Sequence, residues 1–206
     1  MNKKDIEKML ETLDAWVTPG MFLEYGTPWQ LLFATILSAQ CTDDRVNIVT
    51  RSLFVKYPDL ESFARADLAE LEEDIRSTGF YHNKAKNLIS CAKTLVEKYD
   101  GVVPSDIDEL TSLAGVGRKT ANVIRGNIYN IPSIVVDTHV GRIARRLGLS
   151  KNTDPEKVEK DLMKKIPKAH WIAINTQFIT LGRKICKARK AECDSCPLAP
   201  FCPQKI

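Results

Sequence analysis

Apolar residues recur at three- and four-residue intervals along most of this 206-residue chain, which is the period of an amphipathic helix. The clearest stretch runs from His82 to Tyr99. Ala85, Leu88, Ile89, Ala92, Leu95, Val96 and Tyr99 form one stripe there, and Asp100-Gly101 ends it. Similar stripes occupy Ile6–Trp16, Trp29–Ser38, Asp43–Lys56, Leu68–Arg76 and His170–Cys186. Asp154-Pro155 reads as a cap followed by proline at the first helical position, opening a helix over Glu156–Ile166. Ile131–Val136 is the one strand-like run, interrupted by Pro132 and too short to found a sheet. The pattern predicts an all-α fold of about ten short helices joined by tight loops.

Composition narrows the class without naming it. The chain is 44% apolar and 27% charged, ordinary for a soluble globular protein, and its length suits one large domain or two compact ones. It contains no run of eighteen apolar residues, so no membrane-spanning helix is expected. The first sixteen residues, MNKKDIEKMLETLDAW, are charged and amphipathic and do not read as a secretory signal. The cytoplasm is the expected location, alongside the chromosome in a bacterium or archaeon. There the six cysteines are metal ligands or core residues before they are disulfides.

A net charge of +4 says little, but its distribution says more. Gly115–Arg146 holds six Lys or Arg against Asp137 alone, and Leu181–Ile206 holds six against Glu192 and Asp194. Those segments read as a polyanion-binding face. The acidic stretch Glu61–Asp74, ending in Glu72, Glu73 and Asp74, reads as a solvated helix face.

Cys186, Cys193, Cys196 and Cys202 are spaced C-x6-C-x2-C-x5-C, which marks a metal site. Structural zinc usually has two short chelating knuckles, and here only Cys193 and Cys196 are close. A wider loop around one C-x2-C suits an iron–sulfur cubane, although spacing alone leaves zinc open. Lys187, Arg189 and Lys190 lie between the first two ligands, so a bound metal would hold these cations at fixed positions against a phosphate backbone. Cys41 and Cys91 sit in apolar helical contexts and read as ordinary core or semi-buried residues.

The second strong feature is LAGVGRKTANVI, residues 113–124. Leu110 and Leu113 end one apolar helix, Gly115-Val116-Gly117 makes a turn, and Ala121, Val123 and Ile124 begin the next. Two glycines leave the backbone amides open at the positive end of the following helix, where a phosphate can sit. Arg118 and Lys119 oppose the dipole of that helix, typically by ~0.3–1 kcal/mol each. They either hold phosphate or serve chemistry. A helix N-terminus beside a guanidinium disfavours a second positive charge, and a neutral amine is what a Schiff-base nucleophile needs. Asp137, in the apolar context Ile134–His139, is expected to cap the helix running through Val140, Ile143 and Arg146. A capped carboxylate is also held in one orientation. One lysine and one carboxylate are the minimum for displacing a base from a sugar.

With LLFATILSAQCTD (31–43), STGFYHNKA (77–85) and VVDTH (135–139), these motifs resemble the endonuclease III family over nearly the whole chain. The resemblance implies two helical lobes. A six-helix barrel over 22–132 would include the helix–hairpin–helix at about 107–130, and a cluster domain would join 1–21 to 133–206, with a DNA-binding cleft between them. It implies Lys119 as nucleophile, Asp137 as catalytic carboxylate, and Cys186, Cys193, Cys196 and Cys202 as ligands of a [4Fe–4S] cluster. Gln40 would fill the gap left by an extruded nucleotide, and Phe80 would stand as the apolar wedge on the opposite strand, a position often leucine in relatives. Gly115, Gly117, Arg118, Lys187, Arg189 and Lys190 would contact DNA. The substrate implied is double-stranded DNA with a damaged or missing base. Oxidised pyrimidines would be released and the strand cleaved by β-elimination, by a monomer.

From the residues alone, Gln40 reads as a polar cap, Phe80 as a core aromatic and His139 as a structural hydrogen-bonding group. Sister glycosylases are the nearest alternatives, acting on adenine mismatches or on thymine or uracil mismatches. The family pattern puts no lysine at the position of Lys119 in these, and the adenine enzymes carry an extra C-terminal domain for which this chain has no room. A non-catalytic helix–hairpin–helix DNA-binding module would need no Asp137. An electron carrier would leave the glycine hairpin unused.

Overall fold

A computed structural model describes residues 1–203, and all the regular structure among them is helical. The eleven α-helices are α1 Lys3–Trp16, α2 Pro28–Leu37, α3 Asp43–Lys56, α4 Leu60–Ala64, α5 Leu68–Asp74, α6 Tyr81–Tyr99, α7 Ile107–Ser112, α8 Arg118–Asn127, α9 Thr138–Arg146, α10 Pro155–Lys165 and α11 Ala173–Lys184. Short 3₁₀ turns lie at Arg76–Thr78, Lys168–His170, Cys193–Ser195 and Ala199–Phe201. Lys205, counted in the C-terminal basic run, lies outside the described residues.

The chain divides into two compact units, residues 22–129 and residues 1–21 with 130–206. In the first, α2 is buried from Leu31 to Leu37, which is why its sequence is apolar all round. It packs against α3, α6 and α8. Phe33 and Phe63 are fully buried and meet edge-on at 4.9 Å, with Trp29, Phe54 and Tyr57 around Phe63. The stripe of α6 buries Ala85, Leu88, Cys91, Ala92 and Leu95, and Asp100 in the left-handed region ends the helix. Burial pushes the Cys91 thiol up to about 12.

In the second unit α1 lays Ile6, Met9, Leu10 and Leu13 against Val140, Ile143 and Ala144 of α9, Val158 and Leu162 of α10, and Ile174, Phe178 and Leu181 of α11. Asp154 caps α10 with Pro155 behind it, as the sequence pattern predicts.

Residues 131–136 form no strand, in keeping with the all-α expectation, and two other features differ from the sequence reading. Pro132 has no N–H to give a ladder, and the segment is held by a side chain instead: the Val135 amide donates to Asn175 Oδ1 (2.9 Å), whose Nδ2 donates to the Ser133 carbonyl (3.4 Å). The acidic stretch is not simply a solvated face. Glu70 and Asp74 both meet Lys56 of α3 (2.8 and 2.6 Å), and Glu72 meets His82 of α6 (2.6 Å), so these acids hold α5 to its neighbours. The helix expected over His170–Cys186 is shorter, since α11 ends at Lys184 and Cys186 opens the following loop.

Phe63→Ala would leave a cavity beneath four aromatic rings. It should cost about 3–5 kcal/mol, measured by denaturant unfolding followed through the fluorescence of Trp29, which touches the Phe63 ring.

Candidate functional site

The hairpin is built by α7, its turn and α8. Gly115 has φ +77°, and a Cβ there would sit 2.9 Å from Asn87 Cβ of α6. Backbone conformation and packing therefore both require glycine at this position. Val116 is buried beneath the turn, and its amide donates to the Leu113 carbonyl (3.1 Å). Gly117 opens α8 with no side-chain cap, and nothing lies within 4 Å of the place a Cβ would take. Arg118 and Lys119 follow, both exposed, in a first turn without an acid. A ligand can thus approach the backbone closely at a helix N-terminus flanked by two cations.

Asp137 caps α9, as its sequence context predicts. Its Oδ1 accepts the Val140 amide at 2.7 Å, and the preceding residues are pinned by the Asn175 side chain. The carboxylate is half-buried and fixed in direction. His139 packs against α11, where a Cβ on Gly182 would lie 2.5 Å from its Nδ1. Arg142 Nη2 lies 3.1 Å from that nitrogen. Burial, only partly opposed by the charge of Asp137, holds His139 below its ordinary value. It reads as a structural residue.

Cys186, Cys193, Cys196 and Cys202 are half-buried and form no disulfide. Two 3₁₀ turns fold the chain back, with the Cys196 amide donating to the Cys193 carbonyl (3.1 Å) and the Cys202 amide to that of Ala199 (3.4 Å). Cys186, Cys196 and Cys202 pack on the core of their unit. Burial raises the Cys196 thiol, and the charges of the other three bear on it as well. Among the described residues no three His, Cys, Asp or Glu side chains close on a single point as ligands of one ion do.

The sequence does not reveal how the cysteine loop is held. Arg146 donates to the carbonyls of Lys187 (2.8 Å) and Ala188 (3.0 Å) and to Cys186 Sγ (3.2 Å). Arg142 donates to the carbonyls of Cys186 (3.0 Å) and Gly182 (3.1 Å). The basic run over 115–146 is therefore not one polyanion-binding face. Arg142 and Arg146 face the loop backbone, Arg125 and Arg145 are half-buried, and Arg118 and Lys119 remain exposed. Within the loop all three cations are exposed, but Lys187 pairs with Glu192 at 2.6 Å, so Arg189 and Lys190 carry more of its available charge.

Besides Asp100, two residues of the first unit other than glycine lie in the left-handed region. Gln40, in the turn after α2, has φ 55°, and Phe80, at the start of α6, has φ 50°. Phe80 is 63% exposed, which overturns its reading as a core aromatic, and Gln40 is exposed too. Strained, exposed positions of this kind are usual at ligand-contacting loops. The surroundings of both loops pass through a buried cation that sequence reasoning missed, Lys84. Its position on the buried stripe of α6 could have signalled it.

A family model described as HhH-GPD superfamily base excision DNA repair protein matches residues 33–168. Endonuclease III of Synechocystis sp. is 52% identical over 182 residues, covering 88% of this chain and 83% of that protein. Endonuclease III of Bacillus subtilis is 45% identical over 204 residues, covering 98% and 93%. The solved structure of a trapped endonuclease III–DNA covalent intermediate matches with a TM-score of 0.92 at 44% identity, covering 98% of this chain and 96% of that one. A thermostable thymine-DNA glycosylase, at 22% identity and a TM-score of 0.86 over 97% of this chain and 96% of that one, shares the fold. With its fold and about half its residues shared over most of both lengths, the chain belongs to the endonuclease III family of HhH-GPD base excision DNA repair proteins.

Proposed function

We propose that this base-excision repair enzyme, a DNA glycosylase that also cleaves abasic sites, acts on oxidised pyrimidines in duplex DNA with Lys119 as its nucleophile. The observation that carries the reading is the exposed Lys119 in the uncapped first turn of α8, behind the open Gly117. The barrel domain, residues 22–132, supplies the hairpin and Lys119. The cluster domain, residues 1–21 with 133–206, supplies Asp137 and the cysteines. The enzyme works as a monomer in the cytoplasm, with the chromosome.

The amine of Lys119 attacks C1′ of the damaged nucleotide, the glycosidic bond breaks, and the base leaves with a proton. The Asp137 carboxylate stabilises positive charge building on the sugar and relays the proton the amine loses. The sugar ring opens to an imine on Lys119. Loss of a 2′ proton then expels the 3′ phosphate, and water hydrolyses the imine to return the free amine. Gly115, Gly117 and Arg118 hold the phosphate backbone meanwhile, Gln40 fills the space the extruded nucleotide leaves, and Phe80 wedges into the opposite strand.

Four cysteines within seventeen residues, none of them in a disulfide and one accepting from Arg146, suit the donor set of a [4Fe–4S] cluster. Cys186, Cys193, Cys196 and Cys202 would hold it. Bound there, it would cross-link the loop of Lys187, Arg189 and Lys190 and take no part in the bond changes.

Lys119→Ala should abolish the borohydride-trapped protein–DNA crosslink and strand scission while still binding abasic DNA. A folded variant that crosslinks at the wild-type rate would mean another amine is the nucleophile. Asp137→Asn keeps a good N-cap residue, so a fall in base release reports chemistry rather than helix stability. That fall should be ~10²–10⁴-fold, with some trapping retained on a preformed abasic site.

Purified without chelators, the protein should be yellow-brown and hold about four irons per chain. A colourless, stoichiometric zinc protein from iron-replete cells would overturn the cluster assignment.

Arg189→Ala and Lys190→Ala should weaken binding to all DNA sequences alike and lower the log–log salt slope by roughly one unit each. Lys187→Ala, whose charge Glu192 already meets, should change the slope less. Unchanged slopes for Arg189→Ala and Lys190→Ala, with the iron intact, would remove the loop from the DNA contact.

A further inference from the structure

Lys84 is an anomaly, because every other lysine among the described residues is exposed. It lies in the second turn of α6 and is 4% exposed. Its ammonium donates to two main-chain carbonyls, Leu37 at 2.7 Å and Thr78 at 2.8 Å. Neither partner is an acid, and burial holds its pKa below the ordinary lysine value. A buried charge without a counter-ion is costly, and an apolar side chain would fill the same stripe of α6 at no such cost.

What the ammonium gains is position. Leu37 is the last residue of α2, so its carbonyl has no helical partner. The turn that follows places Gln40 in the left-handed region. Thr78 ends the 3₁₀ turn before Gly79 and Phe80, and Phe80 is likewise left-handed. The amide of Lys84 itself closes onto the Phe80 carbonyl at 3.1 Å. One side chain thus grips two loops lying 47 and 6 residues away in sequence, each three residues or fewer from an exposed, strained side chain. A cation is suited to this because one ammonium offers three donors and can serve two carbonyls at once.

We infer that Lys84 is a positioning residue that sets the spacing and direction of Gln40 and Phe80, so that both can occupy the duplex when a damaged nucleotide is extruded. The inference rests on the proposed insertion of Gln40 and Phe80. Without the ammonium the Leu37 and Thr78 carbonyls lose their donor, the two turns are no longer tied, and the pair must be ordered during each extrusion. The cost then falls on opening the duplex. The imine chemistry at Lys119 is spared.

The test compares two substrates. One is duplex DNA holding a single oxidised pyrimidine, which needs extrusion. The other is a single-stranded abasic oligonucleotide, which does not. Lys84→Met, close in shape but without a donor, should lower the single-turnover rate of base release from the duplex by roughly 10–100-fold, the worth of a lost charged hydrogen bond or two. Borohydride trapping on the single strand should stay within about twofold. Lys84→Gln, which retains an amide donor, should recover part of the duplex rate.

Gln40→Ala and Phe80→Ala should show the same selective loss. Combining them with Lys84→Met should add less than the product of the separate effects, because the three act through one step. Parallel loss on both substrates would make Lys84 a general core residue and overturn the inference, and so would an unaffected duplex rate in Lys84→Met. If Gln40→Ala and Phe80→Ala both keep the wild-type duplex rate, the insertion itself is wrong, whatever Lys84 does.

Discussion

Every helix end leaves backbone groups that the helix cannot satisfy, and a protein made of eleven short α-helices among its described residues has many such ends. How these groups find partners decides where the working residues stand. The Asp137 carboxylate takes an amide at the start of α9. Asn175 ties the irregular segment before it. Arg142 and Arg146 gather the carbonyls of the cysteine loop, and Lys84 gathers those of two loops in the other unit. Loops that would otherwise be the softest parts of the fold are held by charged or amide side chains from neighbouring helices. Charge-assisted hydrogen bonds are the stronger kind.

The amides at the head of α8 are the counter-example. Gly117 provides no cap, the first turn contains no acid, and the backbone there is open to an approaching group. Eight of the other ten α-helices begin with a side-chain cap, from Asn2, Thr27, Thr42, Asp59, Asp67, Asp106, Asp137 and Asp154, while α6 and α11, like α8, do not. A terminus left bare beside two exposed cations is suited to an anion from outside the protein. That matches a DNA-repair enzyme whose substrate presents a phosphate at every nucleotide.

Positive charge is consequently put to two different uses. Arg142, Arg146 and Lys84 are spent inside the protein on carbonyl oxygens, where they order loops. Lys119, Arg189 and Lys190 remain exposed, where they are available to a polyanion. Net charge does not separate these roles, because an arginine facing a carbonyl contributes to it just as one facing solvent does. Burial and partner do.

Much of this was determined by the sequence alone. Three- and four-residue periodicity marked the long helices, because a helix must turn its apolar stripe to a core. Asp137 and Asp154 were legible as caps because capping depends on residues within one turn. The hairpin, the cysteine spacing and the family were legible because they lie in local motifs. Only the tertiary structure decided what depends on residues distant in sequence. It exposed Phe80 and strained Gln40 and Phe80, turned the acids of α5 into ties between helices, paired Lys187 with Glu192, and drew Arg142 and Arg146 out of the supposed DNA face. It also buried Lys84 against a carbonyl 47 residues away. The physical reason is common to all of these: a side chain's partner is chosen by packing in space, and a one-dimensional pattern records only the partners within a turn or two.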